Sequence, residues 1–153
     1  MPHSASLKKT PRLDHWVSIG TNQRILIRTG KVDIGQRIST ALALIAAEEL
    51  DVKFEDIDIA RTETGVDPDE GITSGSNSME QAGNAIRAAA ATARQHLLSL
   101  AAEKLKVNVS SLEVSDGLIQ SRETNQAITY WELAGGKLFG IEVDSEIRAK
   151  DPE

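Results

Sequence analysis

The sequence predicts an α+β fold in which two helices pack on one mixed β-sheet. Three observations lead there. Short stretches of alternating apolar and polar residues recur early, midway and late in the chain, as strands require. Two longer segments between them carry apolar residues at helical spacing. Aromatics are only 3% of the residues against a hydrophobic share of 40%, so the core is Ala, Leu, Ile and Val, which suits Ala-rich helices lying close on a sheet.

The elements follow in order. Val17 and Ile19, a polar turn at Thr21-Asn22-Gln23, then Ile25 and Ile27 read as a hairpin, and Val32 and Ile34 as a further extended segment. Gly30 and Gly35 punctuate that stretch. Residues 38 to 50 place Ile38, Ala41, Leu42, Ile45, Ala46 and Leu50 on one helical face. Ile57 and Ile59 alternate with acids in a strand. The Gly/Pro/Asp/Ser-rich stretch from Thr62 to Ser76 is a long loop, and loops of that length in compact domains are more often functional than incidental. A long helix follows from about Met79 to Leu105, with Ala82, Ile86, Ala89, Ala93, Leu97 and Leu100 as its buried stripe. Asp116-Gly117 marks a hairpin turn, and "AITYWELAGG" a strand running into a short helical turn that Gly135-Gly136 ends. The predicted order is β-β-β-α-β-α-β-β-β and a short turn. The chain reads as one domain over 14–140, between a flexible tail at 1–13 and a charged tail at 141–153 that frays.

Several function classes fall away. The net charge of −6 with no basic stripe excludes nucleic-acid backbone binding, which needs clustered Lys and Arg. There is no cysteine, so no disulfide, thiolate nucleophile or cysteine-ligated iron–sulfur cluster is expected in this chain. No apolar run reaches membrane-spanning length and no signal core opens the chain. A cytoplasmic location is expected, or a periplasmic one only if a partner carries the chain there. His3, His15 and His96 are scattered, so no metal site is predicted, and no catalytic triad or carboxylate pair is readable. Asp67, Asp69 and Glu70 lack the spacing of a calcium loop.

Chemistry concentrates at the two helix starts. Ser76, Asn77 and Ser78 are all good N-caps, and Asn77 with Glu80 and Ser78 with Gln81 each have capping-box spacing. Gly71 and Gly75 let the backbone turn sharply or approach a ligand. Free amides, hydroxyls and glycine at a helix start favour an anion, typically phosphate. Gly35-Gln36-Arg37 is a second such junction: Gln36 offers an amide that both donates and accepts, and Arg37 a fork for phosphate or carboxylate. Each junction alone also reads as an ordinary capped turn. If both helices start at the same sheet edge, they converge on one anionic ligand.

Two stretches carry a resemblance. "TGKVDIGQRISTALALIAAEELDV" resembles the segment of molybdenum hydroxylase large subunits that holds a Gly-Gln-Gly motif before a helix. "DEGITSGSNSMEQAGNAIRAAAATAR" resembles the second cofactor loop of those subunits and its Ala-rich helix. The family is that of xanthine dehydrogenase and aldehyde oxidase; "PRLDHWVSI" and "ITYWELA" resemble its isoquinoline 1-oxidoreductase and nicotinate dehydrogenase branch, in which this region stands first in the subunit. The resemblance implies one cofactor-binding domain of the large subunit. It implies molybdopterin, in the cytosine dinucleotide form, held by Gly35, Gln36 and, if it aids binding, Arg37, and by Gly75, Ser76, Asn77 and Ser78. It also implies two partners, the remainder of the molybdenum-binding large subunit and an iron–sulfur small subunit.

Two departures stand out. Arg37 occupies the third position of the Gly-Gln-Gly motif, where it either blocks the cofactor or adds a phosphate contact. The family's subunit is several times longer, and its catalytic glutamate lies in parts this sequence does not contain. No catalytic residue is therefore expected here. The reading is a split subunit or N-terminal fragment that supplies half of a cofactor pocket. The alternative is a stand-alone, non-catalytic relic domain that binds a phosphate-containing ligand or a protein partner.

Overall fold

The computed structural model describes residues 12–28, 36–60, 75–137 and 139–144, with the backbone alone at 36–39, 60 and 75–82. The fold is α+β, as expected. A turn at Leu13–His15 leads into β1 (Val17–Ile19) and β2 (Ile25–Arg28). Then come α1 (Gln36–Leu50), β3 (Ile57–Ala60), α2 (Gly75–Leu105), β4 (Leu112–Ser115), β5 (Leu118–Ser121), β6 (Ala127–Thr129) and α3 (Tyr130–Ala134). The expected segment at Val32 and Ile34 lies outside the described residues.

β1 pairs antiparallel with β2, and β2 pairs parallel with β3 across the α1 crossover. The register sets Val17 against Ile27, and Ile27 against Ile59, so one face is a block of branched apolar residues. Ile25, Ile27 and Val17 are fully buried on it. Their neighbours Ser18, Leu26 and Arg28 turn to the opposite, half-exposed face, the period-2 pattern of a sheet covered on one side.

The strands do not form one sheet. β4, β5 and β6 make a second, antiparallel three-stranded sheet. The length of α2 explains this. Its 31 residues carry the chain about 46 Å, several times the span of a four-residue strand, so β4 and its successors lie well away from β3. The second sheet docks instead at the C-terminal end of α1. The Tyr130 hydroxyl donates to the Leu50 carbonyl at 2.6 Å, and the Gly117 amide to that of Asp51 at 2.9 Å. The Asp116-Gly117 turn has both residues at positive φ, the hairpin geometry the dipeptide predicts.

The core sits between the first sheet and the two long helices. From Ala85 to Ala93 α2 is buried almost all round, with only Arg87 half-exposed. Small side chains make this possible, because neighbours approach every face of the helix. On α1 the predicted stripe holds at Leu42, Ala46 and Leu50, joined by Ala43, Ala47 and a buried Glu49.

The described residues that border the two expected tails, Leu13 and Ile141 to Asp144, are held by the fold. Leu13 is fully buried, and Ile141 and Val143 pack against the core. Asp14 captures the returning chain. Its carboxylate accepts from the amides of Phe139 at 2.6 Å and Gly140 at 2.9 Å. The Leu13 amide donates to Ile141 O at 2.9 Å, and the Asp144 amide to Thr92 Oγ1 at 3.0 Å. The stretch Gly140 to Asp144, expected to fray, is thus tied down through contacts that no local pattern announces.

Candidate functional site

Two junctions leave the carboxyl ends of parallel strands. Arg28 ends β2 and Ala60 ends β3, and the two are register partners. α1 follows the first and α2 the second. In open sheets with parallel strands, ligands bind beyond these carboxyl ends.

The helices run in the same direction. A Cβ on Gly83 of α2 would sit 3.3 Å from Ile45 Cδ1 of α1. Further along, Arg94 of α2 meets Asp51, just past the end of α1, with Nε 2.9 Å from Oδ2. Both contacts advance toward the C-termini. Nine residues back from Ile45 is Gln36, and eight back from Gly83 is Gly75, about 14 Å and about 12 Å of helix. The two helix starts therefore lie at the same end of the pair.

The predicted site residues divide accordingly. Gln36 and Arg37 open α1, and Gly75, Ser76, Asn77 and Ser78 form the first turn of α2. Gly35 lies outside the described residues. The start at Gly75 corrects two expectations. α2 begins before Met79, and Ser76, Asn77 and Ser78 lie inside its first turn rather than at the cap. Serine and asparagine are tolerated there because the first four amides of a helix have no intrahelical partner. First-turn amides lack an intrahelical partner by geometry, which is the property that matters for an anion.

Other polar groups are structural. His96 packs edge-on against the Phe139 ring, with centroids 5.9 Å apart, and His15 is exposed at the first turn. Arg24 grips Asp58 through Nε and Nη2, both at 2.6 Å, across the outer face of the first sheet. That hydrogen-bonded fork holds the Asp58 carboxyl below its ordinary range and raises the Arg24 guanidinium above its own. Burial pushes the Tyr130 phenol well above its ordinary value, so it stays a donor to Leu50 O. Sequence reasoning missed Arg28 and Asp14, since their partners lie 10 to 126 residues away.

The comparisons with known proteins decide the family. The model of the molybdopterin cofactor-binding domain matches residues 3–150. The chain is a molybdopterin-binding domain of the molybdenum hydroxylase family. It is 35% identical over 121 residues to 6-hydroxypseudooxynicotine dehydrogenase complex subunit gamma of Paenarthrobacter nicotinovorans, covering 79% of this chain and 15% of that one. It is 31% identical over 142 residues to a subunit of the nicotinate dehydrogenase of Pseudomonas putida, covering 93% of this chain and 12% of that one. The reconstituted CO dehydrogenase of Oligotropha carboxidovorans superposes with a TM-score of 0.69 at 27% identity, over 89% of this chain and 18% of that one. Quinoline 2-oxidoreductase from Pseudomonas putida 86 shares the fold, with a TM-score of 0.64 at 24% identity over 89% of this chain and 18% of that one. The chain thus spans only 12% and 15% of the length of the two curated relatives. No described helix is long and apolar enough to cross a membrane.

Proposed function

We propose that this chain supplies part of the cofactor pocket of a molybdenum hydroxylase that hydroxylates an aldehyde or an N-heterocycle. One observation carries the reading: α1 and α2 run parallel and start at the same end, beyond the carboxyl ends of β2 and β3. The donor set fits a phosphate-bearing cofactor. The first turns present backbone amides beside Gly75, Ser76, Asn77, Ser78 and Gln36, groups that suit an anion through hydrogen bonds and the helix dipole. Gly35 would let the chain pass close to the ligand, and Arg37 would add a charged contact.

When bound, molybdopterin supplies the metal centre for the redox chemistry. This chain's residues bind and orient. The α2 start holds the phosphate region, the α1 start approaches the pterin, and the buried Ala-rich body of α2 keeps both in register. We read the cofactor as the cytosine dinucleotide and expect no iron–sulfur cluster in this chain. The catalytic glutamate and the remaining loops come from the rest of the large subunit, and electrons leave through an iron–sulfur small subunit. We place the assembly in the cytoplasm. We take the cofactor-binding unit as a single domain on 14–140, widened at both ends to include Leu13 and Ile141 to Asp144.

The alternative is a stand-alone, non-catalytic relic domain. The clasps from Asp14 and Thr92, which close the chain on itself, favour it. Purification of the tagged chain from its native host separates the two. A hydroxylase component comes down with a larger molybdopterin subunit, an iron–sulfur protein and stoichiometric molybdenum, and releases cytidine monophosphate on hydrolysis. A lone metal-free monomer overturns the first reading.

A further inference from the structure

Gly83 stands buried in the interior of α2. Nothing in its backbone asks for glycine. It is helical, and its φ is not among the positive values that Gly117, Gly136 and Gly140 adopt. Glycine is also a poorer helix former than the alanines on either side, Ala82 and Ala85. Space explains the residue. A Cβ at this position would lie 3.3 Å from Ile45 Cδ1 of α1, inside the separation of about 3.5–4.0 Å at which carbon atoms pack best. The missing methyl group is what lets α1 lie down on the backbone of α2.

The place of this contact along the helix pair gives it leverage. At the other end the pair is locked. Arg94 Nε of α2 is 2.9 Å from Asp51 Oδ2, the Gly117 amide donates to Asp51 O, and the Tyr130 hydroxyl donates to Leu50 O. Gly83 lies eleven residues before Arg94, about 16 Å of helix, and Gly75 nineteen residues before it, about 28 Å. Helices pinned at Arg94 and pried apart at Gly83 therefore open about 1.7 times as far at their starts. A few tenths of an ångström at residue 83 becomes about half an ångström at the starts, the whole tolerance of a binding constellation.

We infer that Gly83 is a positioning residue: by carrying no Cβ it sets the separation of the α1 and α2 starts, and so lets both engage one phosphate-bearing ligand. The inference rests on the proposed cofactor reading, and adds to it a residue that acts on the ligand only through the spacing of the two helices.

The test is a titration of the full chain with inorganic pyrophosphate at constant ionic strength, followed through the backbone amides of residues 36–37 and 75–78. The urea midpoint of each variant is read alongside. Gly83→Ala weakens pyrophosphate binding at least threefold while the midpoint stays close to wild type, since the gain in helix propensity offsets the tight contact. Ile45→Val deletes the Cδ1 atom that the new methyl group meets. Alone it leaves the affinity within twofold of wild type, and combined with Gly83→Ala it restores the affinity to within twofold. A Gly83→Ala chain that binds as tightly as wild type overturns the inference, as does a loss that Ile45→Val does not restore. A Gly83→Ala chain that unfolds makes the glycine structural and overturns it too. Wild-type amides that ignore pyrophosphate remove the helix-start reading and the inference with it. Wild-type amides that respond, beside an unchanged Gly83→Ala, remove the inference alone.

Discussion

At their C-terminal ends α1 and α2 close in the same way. Asp51 and Lys106 both adopt left-handed backbone at φ 57°. The next amide in each case, of Val52 and Val107, reaches back to Ala47 O and Ala102 O at 3.1 Å. This is the Schellman closure, built without glycine. At the α1 end it is locked further by Arg94 on Asp51, the Gly117 amide on Asp51 O and the Tyr130 hydroxyl on Leu50 O. The N-terminal ends are composed of Gln36, Arg37, Gly75, Ser76, Asn77 and Ser78, short or polar residues that contribute little to a core. One end of the helix pair satisfies its carbonyls within the fold, and the other brings residue types suited to an external anion. Substitutions at the two ends should therefore differ in kind: stability at the first, ligand retention at the second.

The largest expected effect is at Gly117. A Cβ there would lie 2.6 Å from Trp131 Cη2, and the residue has φ +80°. Gly117→Ala adds left-handed strain to overpacking, each on the order of 1–2 kcal/mol, so about 3 kcal/mol in urea unfolding. A loss below about 1 kcal/mol would mean that the second sheet does not lock the helix end. Tyr130→Phe is next. It leaves the buried Leu50 carbonyl without its donor and should cost about 1–2 kcal/mol, with no change in the spacing of the ring against its neighbours. Because burial holds this phenol above its ordinary range, the wild-type contribution persists unchanged from neutral to moderately alkaline pH. Lys106→Gly acts in the other direction. Relief of the left-handed penalty, offset by the freer unfolded chain, should stabilise by about 0.5–1 kcal/mol, read as a raised midpoint at constant m-value.

The same contrast explains what the sequence made legible. Periodicity placed α1, most of α2 and the six described strands, because amphipathic repeats are local. The Asp116-Gly117 hairpin and the Gly135-Gly136 stop were readable for the same reason: the residue type dictates the backbone. The split into two sheets was not readable, since it depends on how far α2 carries the chain. Nor were the ends at Leu13 and Ile141 to Asp144, where one aspartate reaches across 125 and 126 residues. At the candidate site the residue types were visible and the start of α2 was not. Serine and asparagine serve equally as caps or as first-turn residues, and only tertiary packing selects between them.

The smallest effect on stability should accompany the largest effect on function. Ser76→Ala and Ser78→Ala fall in the first turn of α2, and alanine is a good helix former. Each should leave the unfolding midpoint within about 0.5 kcal/mol of wild type. If the α2 start holds a phosphate, the double variant purified with its partners should lose most of its bound molybdenum while the partners still co-purify. Full molybdenum in the double variant would move the anion contacts to the backbone amides alone. A large loss of stability would instead make these hydroxyls structural and erase the contrast between the two helix ends. Tyr130→Phe in the same assembly is the counterpart: it should lower the midpoint and leave molybdenum content per folded chain unchanged, because Leu50 and Tyr130 lie at the opposite end of α1 from Gln36.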